Sequence, residues 1–340
     1  MSNQLDSAMM YKLITLASAT LSLLSNVSPA ENNYNANLSD GPVRNTIGRS
    51  EILKNQLNIF RVVAMGDKNP KAFISVSDIY NDTLAIPSTY VNNQKNISFD
   101  KLKYFELQAA YRKKLLKGTF IKETDTVFMY DYKLNQLTKT PVVQLKAVAH
   151  LTPYADKGEQ ITIWDYMIGF EIGDKLLKKS ASNYYENLLV YIGSNNPFLP
   201  GKMQLVKWKK INKKQFPISN HNTLSKGDKE AYYNFTGGSI IYYIKDILTD
   251  GTITERHFIA ISTKGKVVLK NEKFTNSEGS SLAPLNFVAG NKEENQWAGY
   301  LFKNKPAVIF GFEYHSFGCP SIIVLNKASG NIAINCDNRH

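Results

Sequence analysis

Most of the chain beyond residue 120 is written in period two. Short runs in which apolar and polar residues alternate are separated by turn residues, a pattern that an antiparallel sheet satisfies and a helix does not. One series covers 126–133, 142–151, 162–172 and 187–192. After Gly193-Ser194-Asn195-Asn196-Pro197 and Pro200-Gly201 a second series covers 206–211, 239–247, 252–262, 266–269, 297–303 and 307–314. In the run 162–172, Trp164, Tyr166, Ile168, Phe170 and Ile172 share one face and Asp165 and Glu171 the other, so a strand with a core on one side is expected. Thr249-Asp250-Gly251 and Lys264-Gly265 are expected hairpin tips. No fixed period recurs, which removes propellers and solenoids.

One main helix interrupts this pattern, expected at 98–117. Ser98 can cap it, Asp100 suits the first turn, Lys113, Lys114 and Lys117 suit the last, and Gly118 supplies a stop. Leu102, Phe105, Ala109 and Leu116 give it a broad apolar face. The fold class that follows is α+β and β-rich: antiparallel sheets, sandwich-like or an open barrel, with that helix and a C-terminal hairpin closed by a disulfide. At 340 residues the chain exceeds the roughly 250–300 at which a single core stops growing. An α+β domain at 50–195 and an antiparallel domain at 201–340 are expected, with one continuous sheet assembly as the alternative.

The first residues carry an address. Lys12 precedes an uncharged run from Leu13 to Leu24, followed by Ser28-Pro29-Ala30 and polar residues, the layout of a signal peptide over 1–30 cleaved after Ala30. Asp6 ahead of Met9-Met10 fits such a signal poorly and suggests that translation begins at one of those methionines instead of Met1. Residues 31–49 form a polar leader. Cys319 and Cys336 flank the hairpin runs 321–326 and 331–335, whose turn is Lys327-Ala328-Ser329-Gly330, so a cross-strand disulfide is expected. Such a bridge belongs to an oxidising space, and the expected location is periplasmic or extracellular.

Chemistry is harder to find. Zincin, P-loop, nucleophile-elbow and dinucleotide motifs are absent, and no cofactor is expected. Glu255-Arg256-His257 and Glu313-Tyr314-His315 each place a carboxylate and an imidazole on one side of a strand. If those strands were neighbours, Glu255, His257, Glu313 and His315 could hold a divalent metal or act as acids and bases. Asp165 and Glu171 are about 20 Å apart along a strand, too far for a glycosidase pair. His150 is expected on a polar face with Lys146 and Gln144. Lys+Arg 41 against Asp+Glu 29 gives a net charge of +12. The basic residues peak at Lys202, Lys207, Lys209, Lys210, Lys213 and Lys214 around Trp208, where an exposed ring could stack while the lysines hold anions. The alternative puts Val206 and Trp208 in the core and leaves the lysines to protect a sheet edge. Adjacent pairs such as Tyr232-Tyr233 and Tyr242-Tyr243 add contact groups, one member of each facing outward. The expectation is therefore an exported, non-catalytic binding protein, envelope-associated, inhibitor-like or adhesin-like, with a protein or an anionic envelope polymer as partner and nucleic acid disfavoured by export. The rival is an exported hydrolase or metal-dependent enzyme using the two Glu-x-His pairs.

Overall fold

The computed structural model describes residues 57–65, 71–80, 85–173, 185, 187–217, 225, 227–286 and 295–338. The expected signal peptide at 1–30 and the expected leader at 31–49 lie outside them. The chain first forms β1 (Ile59–Arg61), β2 (Val63–Met65), β3 (Lys71–Ser75), α1 (Ser88–Asn92), α2 (Phe99–Lys103), β4 (Tyr104–Glu106) and α3 (Ala109–Thr119). Strands then dominate: β5 (Thr126–Asp131), β6 (Gln136–Pro141), β7 (Lys146–Leu151), β8 (Tyr166–Ile172), β9 (Leu188–Gly193), β10 (Met203–Leu205) and β11 (Lys209–Lys210). Next come β12 (Lys229–Gly237), β13 (Ile240–Thr249), β14 (Thr252–Ser262), β15 (Val268–Thr275) and β16 (Ser280–Leu282). The last strands are β17 (Trp297–Gly299), β18 (Val308–Phe310), β19 (Glu313–His315), β20 (Ser321–Val324) and β21 (Ile332–Asn335).

A large nine-stranded sheet has the order β10-β17-β18-β20-β21-β1-β9-β5-β6. It takes strands from both sides of the 195–201 segment. An N-terminal small sheet runs β2-β3-β8-β7-β4, a C-terminal small sheet β11-β12-β13-β14-β15, and β16 pairs with β19. Among the described residues pairing is antiparallel except where β1 lies parallel to β21, with Ile59 beside Ile334 and Phe60 beside Asn335.

Alternation along the large sheet explains the layering. Phe60, Val127, Met129 and Val190 face a cluster completed by Ile74, Ala149, Ile168 and Phe170 of the N-terminal small sheet and by Leu115 and Leu116 of α3. Ala298, Ile309 and Ile323 face a second cluster shared with Ile244, Phe258 and Ala260 of the C-terminal small sheet. Register puts both groups on the same face of the large sheet, because their chain neighbours Ile59, Phe128, Leu189, Trp297, Val308 and Ile322 all enter a third cluster on the other face. The two small sheets thus cover one face side by side.

The expected helix at 98–117 is not a single helix. Tyr104-Phe105-Glu106 instead joins β7 as an edge strand, Tyr104 opposite His150 and Phe105 opposite Ala149, and the Leu107 N–H donates to Ala147 O at 2.8 Å. Phe105 then turns inward and stacks on Tyr90 at 3.7 Å. Ladder bonds and a buried ring outweigh helical propensity at two aromatic residues that favour strands. Nor does α3 stop on Gly118. It ends at Phe120, whose φ is 58°, while a Cβ on Gly118 would lie 2.3 Å from the Tyr80 ring. Trp164 also departs from expectation. The Thr162 hydroxyl accepts from Trp164 N at 3.2 Å and the Asp165 carboxylate accepts from Thr162 N at 2.7 Å, closing a single 3₁₀ turn that delays the strand to Tyr166 and leaves Trp164 68% exposed.

The hairpins follow their turn residues. Asp250 and Gly251, with φ of 50° and 83°, reverse the chain between Thr249 and Thr252. At the C-terminus β20 and β21 pair with Ser321 opposite Ala333, and Cys319 and Cys336 form the disulfide with Cα atoms 5.5 Å apart. No helix among the described residues is long and apolar enough to cross a membrane.

The C-terminal small sheet encloses an ion pair. Arg256 Nε and Nη2 donate to the two Asp246 carboxylate oxygens at 2.8 and 2.9 Å, and Nη1 donates to Ala283 O at 2.7 Å. Both side chains are almost fully buried, at 0% and 2% exposure. Arg256→Ala, which strands a buried carboxylate, is expected to lower the unfolding free energy by about 3–5 kcal/mol. Adding Asp246→Leu to Arg256→Met should recover most of that loss, and urea titration of both variants checks it. Reducing the disulfide, or replacing both cysteines with serine, is expected to remove about 3 kcal/mol in the same assay.

Candidate functional site

The basic segment is positioned by what it buries. Val206 and Trp208 are only 3% and 5% exposed and enter the cluster beneath the C-terminal small sheet. The Asn286 side chain brackets Trp208, accepting from its N–H at 3.0 Å and donating to its carbonyl at 3.0 Å. The indole Nε1 donates to Gln296 Oε1 at 3.2 Å. With two alternate side chains fixed inward, Lys207 and Lys209 must point out. Lys209 and Lys210 form β11, the outermost strand of its sheet, paired with Asn234 and Tyr233 of β12. Lys202, Lys207, Lys209, Lys210 and Lys214 are all exposed, and among the described residues none has a carboxylate within ion-pair distance. Trp208 is therefore an anchor for this edge and offers no ring to a ligand.

Lys213 differs. Its Nζ lies 2.7 Å from Glu230 Oε2, while Lys245 Nζ lies 2.8 Å from Oε1 and the Tyr232 hydroxyl donates at 2.6 Å. Burial pushes the Glu230 carboxyl up, but the hydrogen bonds from Lys213, Lys245 and Tyr232 together overcome it and bring the pKa down to about 2. Tyr232 is raised by burial and by this carboxylate. Sequence reasoning missed Glu230, because nothing in a lone glutamate signals the three donors that converge on it.

The two Glu-x-His pairs do not come together. Glu255 is 3.0 Å from Lys273, and His257 Nε2 lies 2.6 Å from Asn271 Oδ1 with its ring against Phe216. Arg256, between them, reaches the carbonyls of Ala283 and Phe312 from the opposite face of β14. Glu313 and His315 belong to β19, beyond Phe312, opposite Leu282 and Ser280 of β16. Each pair shares its own strand face, but the sheet stands between them. Among the described residues no three His, Cys, Asp or Glu side chains are grouped to hold a metal.

His150 is not on a polar surface. It is 5% exposed, with Phe73 and Tyr104 rings at 4.7 and 4.9 Å, and burial lowers its pKa to about 4. Glu171 accepts from Tyr104 at 2.7 Å and pairs with Lys71 at 2.9 Å, while Asp165 serves the turn before β8. These carboxylates are occupied structurally.

Because the folded-state pKa of Glu230 is depressed from its usual 4.5 to about 2, its contribution to stability is present above pH 4.5 and disappears as pH falls through 2. Glu230→Gln should abolish that acid-dependent component. It should also destabilise the protein by about 3 kcal/mol at neutral pH, because the buried Lys245 ammonium loses its counter-charge. Thermal unfolding of both proteins from pH 7 to pH 2 measures this. Compared with known proteins, the chain matches no protein-family model, no curated protein and no solved structure.

Proposed function

We propose that this chain is an exported, non-catalytic binding protein that holds an anionic macromolecular partner along the lysine edge formed by Lys202, Lys207, Lys209, Lys210 and Lys214. One observation carries the reading: Lys207 and Lys209 project from a segment clamped by Val206 and Trp208, and among the described residues no carboxylate lies within ion-pair distance of any of the five lysines. A rigid row of uncompensated cations attracts negative surfaces at long range and orients them on contact. Acidic protein surfaces and anionic envelope polymers both present such charge. The disulfide supports an oxidising location, and the covering of one large-sheet face by two small sheets supports a sandwich-like body. The hydrolase alternative has no observation in its favour, since Glu255 and His257 face away from Glu313 and His315.

The test is retention of the mature protein on an envelope fraction and on an acidic polymer column. Retention is expected at 50 mM salt and lost at high salt. Lys209→Glu with Lys210→Glu should weaken binding about tenfold or more, as each lysine near an anionic surface contributes about 1 kcal/mol. Retention indifferent to both salt and charge reversal would remove the reading. Export is checked separately, by sequencing the amino terminus of the protein recovered from the cells' exterior or periplasm.

A further inference from the structure

A second feature lies away from the lysines, at the seam where the chain leaves one sheet for another. Only Val62 separates β1 of the large sheet from β2 of the N-terminal small sheet. Because β21 runs parallel to β1, its continuation through Cys336, Asp337 and Asn338 follows the same course. That tail is fastened on both sides. The Ser75 hydroxyl donates to the Asp337 carboxylate, the Asp337 N–H donates to the Asp78 carboxylate at 2.8 Å, and Cys336 is tied to Cys319. Beside the tail opens a cleft of about 240 Å³, closed on another side by the loop Thr152-Pro153-Tyr154.

Its lining combines two chemistries. Val63, Met65 and Met167 supply apolar surface, and the two thioethers adapt to irregular hydrocarbon shapes. Among the described residues of the lining, Arg61 is the one cation. It is half-buried, and among the described residues its guanidinium has neither an ion pair nor a hydrogen bond. A guanidinium without a partner, kept partly from water beside an apolar wall, is matched by a planar anion that accepts its two parallel donors. Among the described lining residues a single arginine stands with the Asp337 carboxylate, a balance that suits a single negative charge better than a doubly charged phosphate.

We propose that this cleft binds a small carboxylate carrying an aliphatic chain, with the carboxylate on Arg61 and the chain over Val63, Met65 and Met167. At roughly 30 Å³ per water-sized group, the volume accommodates about eight such groups, which is the size of a six-carbon acid. The same chemistry is offered by a free short-chain acid and by the C-terminus of a peptide ending in an aliphatic residue. The site does not depend on the lysine edge.

Calorimetric titration with hexanoate, with N-acetyl-Gly-Leu and with the amide of that dipeptide separates the sources. Binding of hexanoate identifies a free acid, and binding of the dipeptide but not hexanoate identifies a chain terminus. The amide is expected to bind at least tenfold more weakly than the dipeptide acid. Arg61→Gln should lose at least tenfold in affinity without altering the unfolding temperature, and Arg61→Lys should fall between it and the wild type. Lys209→Glu with Lys210→Glu should leave the affinity unchanged, so loss of the lysine reading would not touch this one. Should Arg61→Gln fail to fold, the methyl resonances of Met65 and Met167 in the wild-type protein provide a direct readout, and both should shift on ligand addition. The proposal is overturned if neither acid binds, if Arg61→Gln binds as tightly as the wild type, or if those methyl signals stay in place.

Discussion

The pairing of Arg256 with Asp246 organises the C-terminal half of the molecule. A guanidinium and a carboxylate withdrawn from water are tolerable only when each donor and acceptor is matched, and here the match extends beyond the pair to the carbonyls of Ala283 and Phe312. Those carbonyls belong to the residue that follows β16 and the residue that precedes β19. The arginine therefore fixes how the C-terminal small sheet meets the chain that follows it. Phe312, held in that position, receives Phe258 and Phe274 at 5.1 and 5.3 Å and Trp208 at 6.2 Å. Trp208 in turn fixes the outward direction of its flanking lysines. A charge pair in the interior is thus connected through aromatic packing to the charge pattern at the surface.

The sequence disclosed the sheet far better than it disclosed its interruptions. Long alternating runs such as 239–247 and 252–262 became β13 and β14 almost residue for residue, because one face of each, with Ile240, Tyr242, Ile244, Phe258 and Ala260, packs into the core as alternation requires. The disulfide hairpin was equally legible, since cysteines placed symmetrically about a turn leave few other pairings. Tyr104-Phe105-Glu106 was misread as helix because helical spacing of apolar residues looks alike whether the chain continues or breaks to join a sheet edge. That decision rests with β7, more than forty residues later. His150 was misread for the same reason: the face it occupies is covered by Phe73 and Tyr104, which arrive from other strands.

Of the candidate residues, the lysines were legible as charge but not as geometry. Period two told that Lys207 and Lys209 oppose Trp208, yet only the packing of Asn286 and Gln296 around the indole establishes which side is inward. The cleft at Arg61 had no sequence signature at all. Its lining is gathered from positions between 61 and 338, brought together by a parallel strand pair that no local pattern encodes.

That parallel pair has a bearing on how the molecule is made. β1 is inserted between β9 and β21, so the middle of the large sheet is complete only after residues 332–335 have left the ribosome. Closing so long a loop delays the reward of the contacts between β1 and β21. Until then β1, already able to pair with β9, keeps an open edge on the side that β21 takes, and the two halves of the large sheet join only when that last strand arrives.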